Sequence, residues 1–258
     1  MVGVVSIVIV SFIVGVKDTP RLLGFPSLGV LPWFASGSTS LLLTIALFLG
    51  PTYERALKLS KMGSVIHRGN SFNILEFVKD FVLYQTPRTP FVPARNLIVA
   101  PLFEELVFRS CMCAILYAGG VSLSRIIFLS PLVFGLAHVH HALEAIIRFK
   151  QPWKPQLLKA TLQTAYTTLF GMFAAFLLLR TGHFVAPFLS HMFCNCMGLP
   201  SLEFLFNLNY FLKSYRHVIS LLFVLGIALF VCGVYVLATT ANSTYLRSVY
   251  WDVERTYI

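Results

Sequence analysis

Two adjacent glutamates and an arginine, Glu104, Glu105 and Arg109, lie inside an apolar run long enough to cross a bilayer. Charge at membrane depth is costly, so an ionisable group held there is a functional candidate by default. Three more polar sets share this setting. His138 stands in FGLAHVHH with His140 and His141 behind it, His191 and Asn195 stand in HMFCN, and His183 sits at the edge of a span. Residues four apart share a helix face. Glu105 and Arg109 can therefore neutralise each other, and His191 and Asn195 point the same way as two hydrogen-bond donors. Glu104 lies about 100° round the helix from Glu105 and need not join the ion pair. A proline precedes each set: Pro101 before Glu104, Pro131 before His138 and Pro187 before His191. Proline in a span frees a backbone carbonyl or marks a first helical turn. Interrupted helices are tolerated where they line an enclosed, watered cavity, so three helices are expected to turn these groups into one cavity.

A carboxylate and a histidine can together take a proton from water, and a second pair of donors can hold the oxyanion of an attacked amide. That set suffices for peptide hydrolysis without a covalent intermediate. Neither G-x-S-x-G nor H-E-x-x-H is present to compete with it. The residue types leave other readings open. Glu104, His138 and His191 are competent zinc ligands, which would make a membrane metalloprotease. Glutamates and histidines also form proton relays in transporters, a non-enzymatic alternative alongside a scaffold role. Structural roles compete as well: Glu105–Arg109 as a buried salt bridge that positions its helix, and His191–Asn195 as an interhelical clamp. His140 and His141 fall nearer the end of their span and are expected at its rim, outside the chemistry.

The elements that must position these residues are membrane helices. Of 258 residues, 57% are hydrophobic and only 12% charged, against about 25% charged in soluble domains. The chain is expected to be one integral membrane domain over residues 1–258, with the chemistry in 97–199. Spans are expected at 2–16, at 38–49 with residues drawn in from Val30, and at 97–118, 121–140, 157–180, 184–199 and 217–240. Residues 72–84 are too short and charged to cross and read as an interfacial or re-entrant helix. Residues 202–212 read as a half-span or interfacial helix, for seven or eight crossings in all. The apolar N-terminal segment has no basic flank and reads as an anchor rather than a removable signal.

The net charge of +10 does not point to nucleic acid, because no basic helix or aromatic platform accompanies it. It follows the retention of Lys and Arg on the cytoplasmic side of membranes. Arg55, Lys58, Lys61, Arg68, Lys79, Arg88, Arg95, Arg148, Lys150, Lys154, Lys213 and Arg216 gather on one face if 72–84 does not cross. The five cysteines all lie in apolar runs without C-x-x-C spacing and are expected as buried thiols.

The strings APLFEELVFR, PLVFGLAHVHH and RTGHFVAPFLSHMFCN resemble the membrane CAAX prenyl protease type II family, the Ras-converting endopeptidases. The family's motifs, E-E-x-x-x-R, F-x-x-x-H and H-x-x-x-N, occur in order as Glu104-Glu105-Arg109, Phe134-His138 and His191-Asn195, within about residues 95–200. The resemblance implies an all-α bundle of about eight transmembrane helices around a cavity open to the cytosol and the bilayer. It implies an endopeptidase of the endoplasmic reticulum membrane that removes the last three residues of prenylated CAAX proteins such as small GTPases. Its implied mechanism uses no metal and no cofactor. Glu104 and His138 would activate water, His191 and Asn195 would form the oxyanion hole, and Glu105 and Arg109 would support them. A prenylated chain end is itself anchored in lipid, which suits a site at membrane depth.

Overall fold

A computed structural model describes residues 2–15, 18–25, 29–66, 74–84, 89, 91–137, 139–207, 210, 212–240 and 248–251. Every regular element among them is helical, as backbone groups in hydrocarbon demand. In chain order these are α1 (Val2–Val14), the single turn α2 (Thr19–Leu22), α3 (Val30–Leu47), α4 (Leu49–Ile66) and α5 (Ile74–Val82). An unbroken helical run from Phe91 to Ala118 follows: α6 (Phe91–Ala94), the π-helical turn π1 (Arg95–Val99), α7 (Ala100–Glu105), a second π-helical turn π2 (Leu106–Cys111) and α8 (Met112–Ala118). Next come α9 (Leu123–Ala137), α10 (Val139–Ile147), α11 (Trp153–Thr181), α12 (Val185–Met197), α13 (Glu203–Phe206) and α14 (Arg216–Thr239).

Four stretches among the described residues are long and apolar enough to cross a membrane: Val30–Leu47, Leu123–Ile147, Trp153–Thr181 and Lys213–Thr239. The protein is a multi-pass membrane protein, with an all-α fold as its sequence leads one to expect. Other segments differ from the expected spans. Helices α1 and α12 have 13 residues each, about 20 Å of rise against a hydrocarbon core of about 30 Å. Among the described residues of 202–212 the regular element is the four-residue α13, and a 3₁₀ turn at Lys213–Tyr215 lies just beyond them. The polar stretch after residue 50 holds an unexpected 18-residue helix, α4. Its charges are satisfied along the helix, for Lys58 Nζ lies 2.7 Å from Glu54 Oε1, and Glu54 also accepts from the Tyr210 hydroxyl. Helix α5 has no buried residue and spans nine residues, in keeping with an interfacial segment. Cys111, Cys113 and Cys194 are buried thiols as expected, but Cys196 is half-buried and Cys232 is exposed on α14. That helix presents Leu221, Val224, Ile227 and Val231 on its surface, so Cys232 has the surroundings of a lipid-facing side chain.

Two compact units make up the chain. The first comprises residues 1–37, 102–188 and 242–258, and the second residues 38–101 and 189–241. In the first, α9 lies against α11, and small residues permit the close approach. A Cβ on Gly171 would sit 2.7 Å from Pro131 Cβ and 3.1 Å from Arg109 Nη2. Helix α11 ends at Gly182, whose φ of 70° lets its N–H return to the Leu178 carbonyl at 2.7 Å. Residues 248–251 form a strap over this end of the unit. Ser248 Oγ donates to the Leu179 carbonyl at 2.6 Å, and the Tyr250 hydroxyl donates to the Leu22 carbonyl. Tyr117 meets Tyr250 edge-on at 4.9 Å.

His183 occupies the connection between α11 and α12. It is 3% exposed, with Nδ1 at 2.7 Å from the Thr181 carbonyl oxygen and 3.1 Å from Ser36 Oγ. Burial pulls its pKa below the ordinary histidine range, with the Thr181 hydrogen bond opposing. The unfolded chain takes up this proton near pH 6.5, whereas the folded protein resists until lower pH. The contribution of His183 to stability is therefore full above about pH 6.5 and lost as pH falls through the folded value. Unfolding midpoints of the detergent-solubilised protein between about pH 8 and pH 5 should fall on the acid side, and His183→Gln should remove part of that slope.

Candidate active site

The first motif sits on α7 and π2. Glu105 and Arg109 close the expected i, i+4 ion pair, with Arg109 Nε 3.3 Å from Glu105 Oε2. Glu105 is 0% and Arg109 1% exposed, so each answers for the other's burial. The Arg109 guanidinium stacks on the Phe134 ring, 4.0 Å from its centroid, and lies 5.7 Å from that of Phe170. Phe108 adds an edge-on contact with Phe134 at 5.1 Å. Phe134, the first letter of the second motif, is thus the seat of the last letter of the first. A cation on an aromatic face gains most where water is excluded, and the bare backbone of Gly171 makes room for it. No spacing rule announces this link; the one trace of it in the sequence is a glycine at that point of α11. Glu104 is half-buried on a different face of α7. His138, the expected partner of Glu104, lies outside the described residues. His140 is exposed and turned back onto the Ala137 carbonyl, in line with a place at the rim; nothing is described of the His141 side chain.

The third motif belongs to the second unit. His191 is buried at 6% exposed, whereas Asn195, one turn on, is exposed. Asn195 Nδ2 donates to the carbonyl oxygen of Asn96 on π1 at 2.9 Å. The part of α12 in this unit is fixed on its other side by hydroxyls: Thr44 Oγ1 donates to Ser190 Oγ at 2.9 Å, and Ser190 Oγ to the Ser40 carbonyl at 3.3 Å. At its C-terminal turn the buried Arg55 of α4 donates to the Cys196 carbonyl at 2.8 Å and the Met197 carbonyl at 2.5 Å. A guanidinium there satisfies orphan carbonyls and complements the helix dipole. Phe81 and Tyr84 flank it at 5.2 and 5.1 Å. Burial lowers the pKa of Arg55, but arginine stays charged. Arg55 and Asn96 were not among the residues expected from sequence to serve the site.

Among the described residues no three His, Cys, Asp or Glu side chains gather as metal ligands; His138, which the zinc reading needs, is not one of them. Glu104, Glu105 and Arg109 fall in the first unit, and His191 and Asn195 in the second.

Known proteins resemble the stretch that holds these motifs. Residues 86–197 match the profile of the family described as type II CAAX prenyl endopeptidase Rce1-like. CAAX prenyl protease 2 of Arabidopsis thaliana is 50% identical over 108 residues, 42% of this chain and 35% of that protein. CAAX prenyl protease 2 of Homo sapiens is 38% identical over 181 residues, 70% of this chain and 51% of that protein. A probable CAAX prenyl protease 2 of Schizosaccharomyces pombe is 44% identical over 108 residues, 42% of this chain and 40% of that protein. The chain thus spans between about a third and a half of the length of these curated relatives. No solved structure gives a significant match. With its matched stretch enclosing all three motifs, the chain belongs to the type II CAAX prenyl endopeptidase family.

Proposed function

We propose that this protein is a metal-independent, glutamate-type endopeptidase of the endoplasmic reticulum membrane that removes the last three residues of prenylated CAAX proteins. Small GTPases are among the substrates this implies. Glu104, assisted by His138, takes a proton from water as its oxygen attacks the scissile carbonyl. The amide nitrogen leaves with the proton returned to it, releasing a tripeptide and a new carboxylate on the prenylated cysteine. His191 and Asn195 donate to the oxyanion between these steps. Glu105 and Arg109 carry no proton in this scheme and hold the helix. The mouth of the site opens to the cytosol in this reading, supported by the Lys and Arg residues that gather on one face if residues 72–84 do not cross.

One observation carries the assignment of roles. The Glu105 carboxylate is fully buried against Arg109, and Arg109 is in turn seated on Phe134. Of the adjacent glutamates this leaves Glu104, half-buried on another face, as the one suited to meet water. The reading is tested by release of the tripeptide from a farnesylated CAAX peptide, using full-length protein with and without a chelator. Equal release in both supports water activated by side chains alone. Activity lost to the chelator and restored only by zinc would establish the metalloprotease instead, and no release, with pH-driven solute movement, the proton-coupled transporter.

A further inference from the structure

The carbonyl that receives the Asn195 amide is available for a reason written in the sequence. In π1 the backbone pairs five residues apart, as the Ala100 N–H does with the Arg95 carbonyl. The next rung of that ladder would join residue 101 to the Asn96 carbonyl. Residue 101 is a buried proline, which has no N–H to give. Asn195 Nδ2 supplies the missing donor at 2.9 Å.

This bond sets the amide as well as satisfying the carbonyl. A carbonyl oxygen only accepts, so the Asn195 amide must present its nitrogen, and not its oxygen, to Asn96. One N–H is thereby used, and the second is left aimed in a fixed direction. An exposed asparagine would otherwise sample several rotamers at a cost to any charge it has to meet. The hold of Arg55 on the Cys196 and Met197 carbonyls keeps the same turn of α12 from drifting.

We propose that Pro101 is a positioning residue for the reaction: by withholding a backbone N–H from the Asn96 carbonyl, it makes that carbonyl the anchor that orients the Asn195 amide. The inference rests on Asn195 acting as an oxyanion donor, as set out under the proposed function. It assigns Pro101 no contact with substrate.

Pro101→Ala tests it, because alanine restores the N–H that competes with Asn195. Proline is the poorest helix former and alanine the best, so a purely structural role for this position predicts no loss of turnover in a folded variant. The expected result, in full-length protein acting on a farnesylated CAAX peptide, is an unfolding midpoint equal to or above that of the native protein. With it, kcat should fall by about tenfold or more while KM stays within about twofold. Asn195→Ala alone should lower kcat by about 10²–10³-fold, and adding Pro101→Ala to it should cost less than about twofold more. Pro101→Ser, which also restores the N–H, should repeat the loss and serves if the alanine variant does not fold. Native kcat in a folded Pro101 variant, or losses that multiply in the double variant, would overturn the role of Pro101 while leaving Asn195 in place. Unimpaired turnover in Asn195→Ala would overturn the oxyanion reading and this inference with it.

Discussion

Glu104→Ala is expected to abolish tripeptide release while the protein still inserts and folds. Removal of a general base costs about 10²–10⁴-fold, and the adjacent carboxylate, Glu105, is not placed to replace it. Glu105 is adjacent in sequence but lies about 100° away round the helix, fully buried and 3.3 Å from the Arg109 cation. To act as a base it would have to leave that partner and turn its helix. Glu104→Gln should be as inactive as the alanine variant, since it keeps the shape and loses the proton acceptor. The measurement is turnover of a farnesylated CAAX peptide beside the unfolding midpoint. Near-native turnover in either folded variant would show that another group activates the water.

Arg109→Ala is expected to act on stability first. It takes the Arg109 cation from the Glu105 carboxylate, which is 0% exposed, and removing one partner of a buried pair typically costs about 3–5 kcal/mol. It also empties the space between Phe134, Phe170 and Gly171. A large fall in the unfolding midpoint should follow. The two causes separate in a double variant. Arg109→Met with Glu105→Gln removes both charges and refills the volume, and replacing a buried ion pair by apolar groups is often close to neutral. Recovery of much of the midpoint would assign the loss to the unpaired charge. A double variant as weak as Arg109→Ala would assign it to the stacking on Phe134.

The parts of the fold that follow from repeating patterns were legible in the sequence. The apolar helices near 30–47, 123–147, 153–181 and 213–239 stand where long apolar runs put them, and the i, i+4 rule alone joins Glu105 to Arg109. What was not legible depends on exceptions to helical regularity or on partners distant in sequence. The two π turns that flank α7 have no local signature, because an i→i+5 bond is decided by what competes for each carbonyl. Helix α4 was hidden by its charges: Glu54, Arg55 and Lys58 read as a polar connection until their partners Tyr210, Cys196 and Met197 were in view. Phe134 is a letter in a motif; its use as a seat for Arg109 requires π2 and α9 to be packed. The prolines were half understood. That a proline in a span either frees a carbonyl or opens a helix follows from the sequence, but which carbonyl, and which side chain meets it, is set by the π register.

The strap of residues 248–251 bears on when the first unit can be completed. The first unit is assembled from both ends of the chain and its middle. Its end is closed by Ser248 on the Leu179 carbonyl and Tyr250 on that of Leu22. A ribosome moving at about 5–20 residues per second takes about 3–10 s to make the roughly 50 residues between Asn195 and Ser248. Throughout that interval the nascent chain already carries all three motifs, yet the Leu22 and Leu179 carbonyls still lack these two donors. Closure of the first unit therefore waits on the synthesis of Ser248 and Tyr250, and a chain stalled before them would hold all three motifs without it.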